Sequence, residues 1–221
     1  MLEIVIATRN PRKLRELAAM LRVPGIRWIP LSRFAHVGDI RETGRTFQAN
    51  ATLKARAVAR ATGRMALADD SGLEVDALNG RPGVRSARFA GRHGNDQANN
   101  DKLERLMRRV PAARRGAQYR CVLALAGPSR FIAASEGVWK GRIAPEPKGR
   151  GGFGYDPLFW LPALKKTAAE LSASEKNRLS HRARAAARML KKCQTLLGRK
   201  VSDTSTERLR GAGRARTARP G

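Results

Sequence analysis

Two carboxylates stand side by side in Ala68-Asp69-Asp70-Ser71-Gly72, directly after the apolar residues 65–68 and with no basic neighbour in sequence. Adjacent negative charges repel unless a cation lies beside them, and a site offering only oxygen ligands suits Mg²⁺. Neighbouring residues on an extended chain point to opposite sides, so one carboxylate aims into a site while the other anchors structure. We read the segment as a buried strand ending in an acidic turn at a functional site; the alternative is a simple Asx turn.

Three further groups carry chemistry. Thr8-Arg9-Asn10-Pro11-Arg12-Lys13 follows an apolar run and opens a helix. The free N–H groups and positive dipole end there suit a phosphate, unless the segment is only a capped helix that contains lysine. Glu42-Thr43-Gly44 precedes a helix bearing Asn50 and Lys54, and is either an acidic ligand or a solvated turn. Gly151-Gly152-Phe153-Gly154-Tyr155-Asp156-Pro157, with Lys176, His181 and Arg182 further on, joins glycines that admit a flat ligand to an aromatic ring that can stack on it. The alternative there is a glycine-rich hairpin with a packed aromatic.

The positioning elements follow from periodicity. Residues 2–7 are apolar and β-branched, and Leu14, Leu17, Ala18 and Leu21 then recur at helical spacing, with Asn10 as the cap and Pro11 as the first helical residue. Pro24-Gly25 closes that unit and residues 26–31 form a second strand. A helix over 46–61 buries Phe47, Ala51, Ala55 and Val58, and a third, capped near Asp96, packs through Leu103, Leu106 and Val110. Residues 118–126 and 131–138 form an antiparallel hairpin around Gly127-Pro128-Ser129. Ser172 with Glu175 three residues on opens one long last helix, whose seam is Leu179, Ala183, Ala186, Leu190, Cys193 and Leu197.

Composition bounds the rest. The 221 residues are 42% hydrophobic, enough for one domain with a proper core, and no run approaches the roughly 18 apolar residues of a membrane span. The N-terminus carries Glu3 where a signal peptide is basic, so we expect a cytoplasmic, soluble chain. Cys121 and Cys193 lack metal-knuckle or disulfide spacing and read as buried core thiols. The net charge of +27 attracts polyanions, but residues 199–221 hold only seven Lys/Arg against two Asp/Glu, so the basicity is spread along the chain. Aromatics are 5% and do not interleave with the basic stretches, which argues against nucleic acid as a specific partner. Past Gly198 the few apolar anchors predict a basic, disordered tail over 199–221 beyond a domain at 1–198.

In this order the segments Ala7-Thr8-Arg9-Asn10 to Lys13, Glu42-Thr43-Gly44 with Phe47, Asn50 and Lys54, Ala68-Asp69-Asp70-Ser71-Gly72-Leu73 through Ser86-Ala87-Arg88, and Gly151 to Pro157 with Lys176 to Arg182 resemble the inosine/xanthosine triphosphate pyrophosphatase family. The resemblance spans about residues 3–197. It implies an α/β fold with an elongated mixed central sheet flanked by helices, two lobes with a cleft between them, and a homodimer. It implies Mg²⁺-dependent hydrolysis of non-canonical purine nucleoside triphosphates to monophosphate and pyrophosphate. Thr8, Arg9, Asn10, Pro11, Arg12 and Lys13 would hold the triphosphate. Glu42 and Asp70 would bind Mg²⁺, and Asp70 would also be the catalytic base. Ser71 and Lys176 would contact substrate, Phe153, Gly154, Tyr155 and Asp156 would hold base and sugar, and His181 with Arg182 would read the purine 6-oxo edge. The chain departs from the pattern at Arg9, where a small residue is frequent, and at Arg12, where glycine is. The rival readings are a Maf-like pyrophosphatase acting on modified nucleotides and a basic nucleic-acid-binding protein.

Overall fold

A computed structural model describes residues 1–213, with side chains to residue 198. Its frame is one seven-stranded mixed sheet in the order β2-β1-β3-β4-β5-β6-β7, the α/β architecture expected. Strand β1 (Leu2–Ile6) pairs in parallel with β2 (Ile26–Pro30) on one side and β3 (Met65–Val75) on the other. From β3 onward, β4 (Gly116–Ala126), β5 (Phe131–Ile143), β6 (Phe159–Leu161) and β7 (Lys166–Thr167) are all antiparallel to their neighbours.

The period of two along the strands divides the core. Ile4, Ile6, Leu67, Leu123 and Leu125 face one side, where α1 (Pro11–Met20) and α5 (His181–Gly213) cover them with Leu17, Ala185, Met189 and Cys193. Val5, Ala66, Ala68, Val122 and Ala124 face the other side, against Phe47, Ala51, Ala55 and Val58 of α2 (Phe47–Thr62). A separate core lies at the far ends of β3 to β5, where Leu73, Val75, Tyr119, Trp139 and Phe159 meet Leu103 and Met107 of α3 (Asp96–Met107). The long strands thus carry two lobes.

Several expectations change. The acidic pair ends no strand: β3 runs on through Asp69-Asp70-Ser71-Gly72 in continuous register with β4, from Ala66 opposite Ala126 to Val75 opposite Ala117. Pairing with β4 overrides the weak strand propensity of Asp, Ser and Gly. In α3, Leu106 is 40% exposed, and Met107, one turn from Leu103, takes the core position. The last helix is two: α4 (Ala173–Leu179) ends at extended Ser180, whose hydroxyl accepts from the Ala183 N–H and caps α5. That restart moves the seam to Ala185, Ala186, Met189 and Cys193. α5 continues past Gly198 to Gly213, since a glycine inside a helix costs only about 1 kcal/mol. The rest of the expected tail, 214–221, lies outside the described residues. Both cysteines are free and buried.

Candidate active site

The site forms where β1 stops. After Ile6 pairs with Leu67, the chain leaves the sheet at Thr8, and β3 loses its partner on that edge. Side chains satisfy the exposed backbone instead: Lys54 Nζ donates to the Asp69 carbonyl at 2.7 Å, the Ser71 N–H reaches the Asp70 carboxylate at 3.1 Å, and the Leu73 N–H reaches Ser86 Oγ at 2.9 Å. A Cβ on Gly72 would collide with Ser86 Oγ and come within 2.5 Å of the Gly83 carbonyl, so the strand admits only glycine there.

Beside this edge, Asn10 caps α1, its side-chain Oδ1 accepting from the N–H groups of Arg12 at 2.9 Å and Lys13 at 3.2 Å. The capped end turns Lys13 onto Asp69 and Arg12 onto Asp96, 2.9 Å away. Arg9 turns elsewhere, to the Val37 carbonyl and to Asp39 at 3.1 Å, and Thr8 Oγ1 accepts from the Asn10 N–H. Of the loop, only Asn10, Arg12 and Lys13 line the cleft between the lobes, a half-enclosed cavity of about 120 Å³.

Asp69 faces the α1–α5 side. It meets Lys13, Ser71 Oγ at 3.0 Å, Cys121 Sγ at 3.1 Å and Arg182 Nε at 2.9 Å. Burial opposes its ionisation, yet Arg182 and Lys13 hold it well below the usual carboxylate range. Arg182, 1% exposed, spends its other nitrogens on Glu16 and on Ser71 Oγ at 2.8 Å. Ser71 is likewise committed within the network. Glu16 also pairs with Lys176 at 3.1 Å, and Lys176 with Asp156. Sequence reasoning passed over Glu16, a lone acidic residue in the middle of a helix whose partners lie far along the chain.

Asp70 faces α2. Burial, with Glu42 adding, pushes its carboxyl up to about 6, against Lys54 and Lys13. Its Oδ2 is buried without a partner. The Gly44 N–H donates to Asn50 Oδ1 at 2.7 Å, which folds the Glu42 turn back on α2 and sets Glu42 2.6 Å from Lys54 Nζ. Lys54 stands 3.7 Å from Asp70 as well, and Arg88 lies 3.9 Å from Glu42. Lys54 and Arg88 are cations beside the acidic pair to which the sequence reading gave no role. The residues present fit Mg²⁺: an orphaned buried carboxylate oxygen and a second carboxylate are the one or two acidic ligands that such an ion takes alongside phosphates. Among the described residues no cluster of three His, Cys, Asp or Glu exists, so phosphate and water oxygens would complete the shell.

Across the cleft, Phe153 is ringed by cations, with Lys176 Nζ 4.5 Å, Arg12 5.0 Å and Arg182 5.7 Å from its ring centroid. His181 stacks on Tyr119 at 4.6 Å, and burial, with Arg182 adding, keeps it neutral by holding its pKa well below the usual value. Its buried Nδ1 has no partner. Asp156 accepts from the Phe153 N–H, while the Tyr155 hydroxyl is spent on the Ser86 carbonyl, so Tyr155 braces the loop. Burial raises the pKa of Asp156 although Lys176 opposes it. The cleft therefore offers a flat aromatic floor with neutral and cationic donors, while Asp70, Glu42, Lys54 and Arg88 form an acidic pocket among cations on the α2 face of β3.

Residues 4–192 match the model of the Ham1 family. A dITP/XTP pyrophosphatase of Desulforamulus reducens is 49% identical over 198 residues, covering 90% of this chain and 96% of that protein. A dITP/XTP pyrophosphatase of Nitratidesulfovibrio vulgaris is 51% identical over 193 residues, 85% and 93% of the two chains. Among solved structures, a HAM1 protein from Coxiella burnetii superposes with a TM-score of 0.81 at 44% identity, covering 88% of this chain and all of that one.

Proposed function

The chain belongs to the Ham1 family, and from that premise we propose that it hydrolyses non-canonical purine nucleoside triphosphates, dITP, ITP and XTP, to the monophosphate and pyrophosphate. The observation that carries the reading is Asp70, a buried carboxyl with one unpartnered oxygen and a pKa near 6, set among Lys54, Lys13 and Glu42. A positioned general base contributes on the order of 10²- to 10⁴-fold. Asp70 accepts the proton of the water that attacks the α-phosphorus; the bond from that phosphorus to the β-bridging oxygen breaks, and pyrophosphate leaves. Lys13, Lys54, Arg88 and Arg12 receive the negative charge of the chain of phosphates. Glu42 and Asp70 would hold Mg²⁺, which supplies further neutralisation of phosphate charge.

Phe153 offers a face for the purine. His181 is neutral and so carries one donor for a 6-oxo group, and Arg182 retains N–H groups beyond those spent on Asp69, Glu16 and Ser71. An adenine 6-amino group leaves these donors unpaired, at about 1–3 kcal/mol each. Pyrophosphate release from dITP, XTP, dGTP, dATP and dUTP, with and without Mg²⁺, tests the reading; equal rates on dATP and dITP would sink it.

The catalytic unit is residues 1–198, acting as a homodimer in the cytoplasm. Two free buried thiols suit a reducing compartment. The dimer is supported by an open groove of about 1320 Å³ between α2 and the loop 79–85, floored by the Glu74–Arg120–Glu136 row of the sheet.

A further inference from the structure

Helix α3 reaches into the cleft with its first turns. Its first residue, Asp96, accepts from the Gly154 N–H at 3.0 Å, and Asn100, one turn on and so on the same face, donates to the Gly154 carbonyl at 2.9 Å. Both backbone polar groups of one residue are thus gripped by one helix. Gly154 has φ +63°, a left-handed conformation, in a stretch that also contains Gly151 and Gly152; an unheld chain of this composition samples many conformers. The same Asp96 oxygen takes Arg12 Nη1 at 2.9 Å, and the Arg12 guanidinium lies 5.0 Å from the Phe153 ring centroid. One carboxylate thereby touches the loop that offers the aromatic floor and the turn that offers cations to phosphate.

We propose that Asp96 and Asn100 are positioning residues that fix the Phe153–Gly154 loop for the purine, and that Asp96 also restrains Arg12, linking base recognition to triphosphate recognition. The inference rests on the cleft being a nucleotide site. A loop ordered in advance by α3 costs the substrate less to bind. Losing the grip therefore weakens the nucleotide's binding more than it slows chemistry at Asp70, on the other side of β3. Asp96 acts in two directions at once: it supports the base-holding loop while competing with phosphate oxygens for Arg12. A merely structural residue would weaken every ligand together.

The test uses the full chain carrying Asn100→Ala or Asp96→Ala, with thermal melts as the folding control. It reads KM and kcat for dITP by pyrophosphate release, and binding of inorganic tripolyphosphate by calorimetry at low salt. For Asn100→Ala, the KM for dITP rises about tenfold, kcat changes by less than about threefold, and tripolyphosphate binds as before, as loss of one hydrogen bond to the loop requires. For Asp96→Ala the two ligands move in opposite directions: dITP binds more weakly and tripolyphosphate more tightly, by about threefold or more. Unchanged KM in both variants overturns the proposal, as does a parallel loss of dITP and tripolyphosphate binding. An unmodified chain that releases no pyrophosphate from dITP would instead overturn the proposed function, and the tripolyphosphate measurement would still decide whether Asp96 restrains Arg12.

Discussion

Asp69 and Asp70 are consecutive residues of one strand whose carboxylates lie on opposite faces of the sheet, Asp69 locked to Lys13 and Arg182 and Asp70 turned to Lys54 with a free oxygen. Neighbours identical in type therefore have pKa values shifted in opposite directions: one held well below the usual range, the other raised to about 6. Their substitutions should part company in the same way.

Asp70→Asn removes the base and leaves its shape. Turnover of dITP should fall by at least about a hundredfold, with circular dichroism unchanged. Retention of a tenth of the rate would show that the proton goes elsewhere.

The same substitution should stabilise the metal-free protein. The folded pKa of Asp70 is about 6 against 3.8 for the free group, so the folded state holds its proton more tightly. Stability thus declines as pH rises from about 4 to 6 and stays reduced above that. The cost is about 3 kcal/mol at pH 8. Asp70→Asn should melt higher than the parent at pH 8 without Mg²⁺ and show little difference near pH 4. Adding Mg²⁺ should raise the melting temperature of the parent but not of the variant.

Asp69→Ala should act in the reverse sense. It leaves Arg182 and Lys13 beside an empty buried space, and loss of one partner from such a network costs about 3–5 kcal/mol. Urea unfolding should show this at pH 7. Because the Asp69 pKa is depressed, the difference should shrink as acid protonates the carboxylate in the parent.

Gly72→Ala places a methyl against Ser86 Oγ and the Gly83 carbonyl, with Phe47 Cε1 only 3.0 Å away. Overpacking against backbone costs about 1–3 kcal/mol. The Leu73–Ser86 hydrogen bond should open, visible as faster amide exchange at Leu73.

What the sequence made legible was local. Asn10 and Pro11 announced the start of α1, the Phe47–Val58 spacing gave the buried face of α2, and strand alternation put Asp69 and Asp70 on opposite sides without saying which one faces the chemistry. What it hid was settled by partners far along the chain. Asp-Asp-Ser-Gly has the composition of a turn, and only the register with Ala117–Ala126 makes it strand. Glu16 reads as a solvated helix residue until α5 brings Arg182 and α4 brings Lys176 against it. Asp96 looks like one more acidic first-turn residue until the Gly154 loop folds onto it. Ser180, without a glutamate three residues on, lacks the full capping-box signature that marked Ser172.

Strands β3, β4 and β5 run unbroken from the core beneath α1 and α2 to the core beneath α3. The hydrogen-bonded sheet therefore behaves as a leaf spring. Any widening of the cleft would have to be taken up by a small change of twist spread over many rungs of that sheet.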